Sequence, residues 1–186
     1  WNRFNIQLKD EHGDPIFSYQ GNWRDIFQNW ESLGQSYPFA LESMVSVFLN
    51  ASTADGYNPY RISRSGIDWE VPEENNPWAH FGYWGDHQII YLLRLLESVE
   101  RFSPGRLTER LNHRGYAYAH VPYEIGDFET IARDPRHTIT FNLDLHRNLM
   151  ARAETLGADG KLQVDEAGEV RLVSLAEKLL VPALVK

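Results

Sequence analysis

The chain has 186 residues, of which 42% are hydrophobic and 24% charged, an ordinary globular composition with enough length for a proper core. Its formal net charge of -8 comes with no Lys/Arg cluster, which argues against nucleic acid as a partner. There is no cysteine, so disulfides and thiolate chemistry are excluded, and no apolar run of about 18 residues, so no membrane-spanning helix is expected.

The lack of cysteine suits the cytoplasm. Trp1-Asn2-Arg3-Phe4 carries neither an initiator Met nor a signal-peptide pattern. The expectation is that residues 1–186 are a single domain or a fragment cut from a larger one.

Phe4, Ile6 and Leu8 alternate weakly and predict a short strand over 3–10, followed by a turn at His12-Gly13-Asp14-Pro15. Trp23, Ile26, Phe27, Trp30 and Leu33 recur at helical spacing. Asn22 fits an N-cap with Asp25 in a capping-box position, and Gly34 fits the helix end. Pro38 opens a second helix with a buried stripe of Leu41, Met44, Val45, Phe48 and Leu49. From Ala51 to Trp84 the pattern gives way to a long loop rich in Gly, Pro, Asn and aromatics. Tyr57, Tyr60, Trp69 and Trp78 favour order over disorder there.

The third helix, 86–102, is apolar on more than one face, which predicts burial on several sides. Ser103-Pro104 begins a short helix with Leu107 and Leu111, and Tyr116 to Tyr123 is expected to be extended. Residues 124–136 read as a loop with one helical turn. Asn142 to Leu156 reads as a helix closed by Gly157. Over 161–173 the period changes to two on either side of Glu166-Ala167-Gly168, predicting a β-hairpin. Ser174 and Glu177 form a capping box for a last helix that Pro182 kinks or ends. The fold class is therefore mainly α with a small C-terminal β-hairpin.

Carbohydrate chemistry needs two carboxyl groups across a cleft, one to protonate the leaving oxygen and one to attack or activate water. Aromatic faces and Asn, Gln, Asp or Arg groups hold the sugar. Those residue types are concentrated in Trp23-Arg24-Asp25, in Asp68-Trp69-Glu70 and in Trp84-Gly85-Asp86-His87-Gln88. Plainer roles stand beside the chemical ones. Asp25 and Asp86 fit helix caps. Arg24 fits a structural ion pair, Glu70 a solvated loop acid, and Trp69 and Trp84 core filling. His80, Asp86 and His87 would serve a metal-dependent hydrolase, but their spacing matches no standard zinc pattern. Asp55, Asn58 and Asp68 lack EF-hand spacing. No metal and no cofactor is expected.

Trp23-Arg24-Asp25 resembles the Trp/Arg/Asp signature that opens an inner helix in six-hairpin (α/α)6-toroid carbohydrate enzymes. Asp55-Gly56-Tyr57-Asn58-Pro59 and Gly82-Tyr83-Trp84-Gly85-Asp86 look like the loop and next inner-helix start of the same architecture. Amylo-glucosidase-like hydrolases and cellobiose-phosphorylase-like enzymes share this scaffold. The resemblance covers roughly residues 19–102. It implies inner helices at 22–34 and 86–102, an outer helix at 38–50, and about half of a toroid. It implies a carbohydrate substrate whose glycosidic bond is hydrolysed or phosphorolysed. Asp86 would be the acid, with Glu70 the second catalytic candidate. Arg24 and Asp25 would grip sugar hydroxyls, and Trp23, Trp69, Trp84 and Gln88 would shape the subsite. The remaining domains of the parent protein would be its partners. The rival is a non-enzymatic helical module that binds another chain or a glycan.

Overall fold

The structure, a computed structural model, describes residues 12–13, 21–56, 61–63, 66–69, 71–72, 88–134 and 139–185. The expected strand over 3–10 lies outside these residues. Among the described residues the chain is mainly helical, with three small antiparallel sheets.

Strand β1 (Gly21–Asn22) runs directly into helix α1 (Trp23–Ser36). The helix passes through Gly34, where the sequence placed its end. Gly34 serves close packing instead: a Cβ there would lie 2.5 Å from Leu41 Cδ2. A 3-10 turn, Pro38–Ala40, reverses the chain into α2 (Leu41–Ala51). The stripe of Leu41, Met44, Val45, Phe48 and Leu49 is buried as its spacing predicts.

Within the expected long loop, β2 (Arg61–Ser63) and β3 (Gly66–Asp68) form a hairpin, and β1 joins it in the order β1-β2-β3. Gly66 has φ +89, and a Cβ on it would meet Ala158 Cβ at 2.9 Å, so both the turn and the close approach require glycine.

Helix α3 (Gln88–Phe102) packs on both α1 and α2. Leu92, Leu95 and Val99 enter the core, but Ile90 is 53% and Leu93 54% exposed. The expectation of burial on several sides is corrected: α3 has one buried stripe and an open apolar patch near its start. The short helix α4 (Arg106–Arg110) begins after Gly105, slightly later than Ser103-Pro104 suggested.

Residues 116–123, between β4 (Arg114–Tyr116) and β5 (Tyr123–Ile125), are buried throughout except for half-buried His120. Their backbone is satisfied by distant groups. Ala117 N donates to Asn50 Oδ1, Ala119 N to Ser52 O, and His120 N to Lys161 O. Helix α5 (Phe128–Arg133) is capped by Asp127, which accepts from Thr130 N; the Thr130 hydroxyl first and its N–H second hold the carboxyl below its usual range. Strand β6 (Ile139–Phe141) pairs with β5. Helix α6 (Leu143–Leu156) has the expected caps: Asn142 Oδ1 accepts from Leu145 N, and Gly157 follows with φ 63.

The 161–173 hairpin is reduced to one antiparallel bridge, Val164 to Val170, around a turn that Asp165 organises by accepting from Ala167 N and Glu169 N. Its flanks go elsewhere. Leu162 pairs with Ala119, and β7 (Val173–Ser174) pairs with β4. The capping box forms, with Ser174 N donating to Glu177 Oε2 at 2.7 Å and Glu177 N to Ser174 Oγ at 3.2 Å. Helix α7 (Leu175–Val185) continues past Pro182 rather than ending there.

Lys178 of α7 is fully buried. Its Nζ donates to Ser52 O at 3.2 Å and sits 3.8 Å from the Tyr118 ring centroid, tying α7 to the end of α2. Burial drives its pKa from 10.5 down to about 6 and raises that of Tyr118, which Glu177 raises further. The unfolded chain therefore binds one more proton than the folded one between about pH 6 and 10.5, and stability rises with pH across that window. Below it the desolvation penalty is fully present. Lys178→Met is expected to raise the urea midpoint near pH 6 and to remove a slope of up to about 1.4 kcal/mol per pH unit. Urea titrations from pH 6 to 9 check this; an unchanged slope would assign the pH dependence to other groups.

Candidate functional site

The second halves of helices α1 and α3 are brought together, and ion pairs join the segments that follow them. Glu42, six residues after the end of α1, accepts from Arg106 Nε at 2.9 Å and from Arg110 Nε at 3.2 Å. Both arginines lie within eight residues of the end of α3. These pairs are roughly 40% exposed and contribute little energy, but they fix where the two helices finish. A shallow polar hollow between the helices is lined by Glu31 and Gln35 from the second half of α1 and by Arg94, Glu97, Ser98 and Arg101 of α3. Helix α1 has 14 residues, about 21 Å at 1.5 Å per residue, so its start lies well away from Glu42 at its other end.

The small sheet brings another segment to the start of α1. Asn22, immediately before Trp23, pairs with Arg61, which pairs with Asp68. Asn22 and Asp68 thus lie two strand spacings apart, about 10 Å. The start of α1 and Asp68-Trp69 are therefore near one another.

Beneath this region is a polar and aromatic cluster. The Trp69 indole N–H donates to His146 Nδ1 at 3.0 Å, which places the proton of a neutral His146 on Nε2. The two rings meet edge to face, with Phe141 on the other side of His146. The Lys161 ammonium lies 5.3 Å from the Trp69 ring centroid and 3.7 Å from Asp68 Oδ1. Asp68 Oδ1 also accepts from Trp69 N at 3.1 Å. The Lys161 side chain is 6% exposed and that of Asp68 38%, so the cluster is dry at the lysine and open at the carboxylate. Nearby His120 has its pKa lowered first by burial and then by Arg152, which keeps it neutral at pH 7.

Of the residues the sequence singled out, Trp69 is described in full. It is 3% exposed and belongs to the core cluster, so it supports the site from below and offers no open face for stacking. Trp23, Arg24 and Asp25 form the first turn of α1, and Gln88 is the first residue of α3; their side chains lie outside the description. Glu70, which follows Trp69, lies outside the described residues, as do Trp84, Asp86, His80, His87 and Asn58. Among the described residues no group of three or more His, Cys, Asp or Glu side chains could hold a metal.

Asp68, Lys161 and His146 belong to this cluster although sequence reasoning assigned them no catalytic or substrate-binding role. Asp68 had a signal, its place beside Trp69 in an aromatic and acidic run. Lys161 had none: a lysine after Asp159-Gly160 reads as a solvated turn residue. No protein-family model and no curated protein matches the chain.

Trp69→Phe keeps one six-membered ring but removes the rest of the indole with its N–H, leaving a small cavity and His146 Nδ1 without its donor. The expected loss is about 2 to 4 kcal/mol of stability, checked by denaturant unfolding. A value near zero would mean that the Trp69–His146 contact carries no weight.

Proposed function

We propose that this chain is part of a carbohydrate-active enzyme of the (α/α)-toroid type, which hydrolyses or phosphorolyses a glycosidic bond by carboxylate acid/base chemistry. The observation that supports the reading is the packing of α1 on α3, whose second halves line one polar hollow; the reading requires the two helices to run parallel, with Trp23-Arg24-Asp25 and the start of α3 at one end. In this reading α1 and α3 are inner helices and α2 is an outer one.

Asp86, two residues before α3, is the proton donor, and a desolvated position there would raise its pKa as a donor needs. Glu70 is the second catalytic carboxylate. Arg24 and Asp25 hold sugar hydroxyls, Trp23, Trp84 and Gln88 shape the subsite, and buried Trp69 supports it. The enzyme needs no metal or cofactor for this chemistry and works in the cytoplasm, where a chain free of cysteine is at home. Among the described residues no helix is long and apolar enough to cross a membrane.

A second reading, a non-enzymatic helical interaction or glycan-binding module, draws on exposed Ile90 and Leu93. In the enzyme reading those side chains are covered by the remaining domains of the parent protein.

The test is a screen of glucosides, with and without inorganic phosphate, on the full-length polypeptide. Asp86→Asn is expected to lower kcat by about 10²- to 10⁴-fold with the substrate still bound. Turnover unchanged in that variant removes Asp86 from the acid role; no turnover or binding of any glycoside by the wild type overturns the enzyme reading.

A further inference from the structure

Among the described residues, Lys161 has more donors than acceptors to meet them. Its side chain is 6% exposed, and an ammonium has three N–H groups to place. Among the described residues its neighbours are Asp68 Oδ1, at an ion-pair distance of 3.7 Å, and the Trp69 ring, 5.3 Å from Nζ. Neither is at hydrogen-bond distance. A buried ammonium left this way is costly unless an oxygen acceptor reaches it.

Asp68 presents the opposite chemistry next door. Its Oδ1 is engaged by Trp69 N and faces Lys161, while the side chain is 38% exposed. Among the described residues nothing donates to Oδ2, which can accept from a ligand. The pair is therefore a donor and an acceptor a few ångströms apart, on the sheet whose first strand leads into α1.

We propose that Asp68 and Lys161 form a binding point for a vicinal diol of a carbohydrate. One hydroxyl donates to Asp68 Oδ2, and the neighbouring hydroxyl oxygen accepts from Lys161 Nζ. The pair carries no net charge. A neutral polyol satisfies both members, whereas an anion such as phosphate would gain from Lys161 and be repelled by Asp68. Trp69 fixes the geometry from beneath: its backbone N–H holds Asp68, its ring borders Lys161, and His146 pins its indole. This inference rests on the carbohydrate reading and adds to it two residues that the resemblance does not assign.

The experiment measures binding of glucose, cellobiose and maltose, and separately of inorganic phosphate, by titration calorimetry on the full-length protein. Wild type is compared with Asp68→Asn and Lys161→Met, and thermal unfolding confirms that each variant is folded. Loss of one hydrogen bond to a charged group is expected to weaken sugar binding by about 10- to 100-fold in each variant, with phosphate binding unaffected. Should Lys161→Met fail to fold, Asp68→Asn, which keeps the side-chain shape, carries the test alone. Sugar binding equal to wild type in the folded variants overturns the diol site and leaves the carbohydrate reading standing. Phosphate binding that disappears in Lys161→Met while sugar binding persists also overturns it. Wild type that binds none of the sugars overturns both.

Discussion

The packing of α3 on both α1 and α2 is the constraint on which the rest depends. A 3-10 turn links α1 to α2, and α3 lies against each of them. Gly34 permits the close approach to Leu41 after the turn, and Glu42 ties the segment beyond α1 to Arg106 and Arg110 beyond α3. At the start of α1, the small sheet carries Asp68 across from Asn22.

Two buried lysines mark places where the chain accepts an energetic cost. Lys178 is sealed between Ser52 O and the Tyr118 ring, with its charge suppressed by burial. It joins α7 to the end of α2 and has no route to solvent. Lys161 is dry along its length but stands beside a carboxylate that is partly open. The difference in surroundings separates a structural tie from a group that can meet a ligand.

Local rules in the sequence located much of the helical framework. The caps at Asn142, Gly157 and Ser174 with Glu177 need only neighbouring residues, and they form as expected. The α2 stripe was legible because its period is regular. The β2–β3 hairpin was not: Arg61–Asp68 has only Ile62 and Ile67 to alternate, and its third strand comes from forty residues away. An apolar helix such as α3 is easily read as buried all round, since periodicity gives no sign of what covers each face. The positions of Lys161 and Lys178 are tertiary facts. For Lys178 a hint existed, its place three residues after Leu175 on the same helical face. The sequence singled out the segments beginning at Trp23 and at Asp68, and the fold relates them through the strand pairs Asn22–Arg61 and Arg61–Asp68.

The direction of α3 along α1, on which the enzyme reading depends, is measured most directly by spin-label pairs on exposed positions of the two helices. With one label at Gln35, a second label goes on Arg101 and, in a separate sample, on Ile90. Parallel helices predict that the Gln35–Arg101 distance is the shorter of the two, the Gln35–Ile90 pair being offset by about 15 Å along the axis. The reverse order, with Gln35 nearer Ile90, would mean antiparallel helices, and their starts would then lie at opposite ends of the molecule.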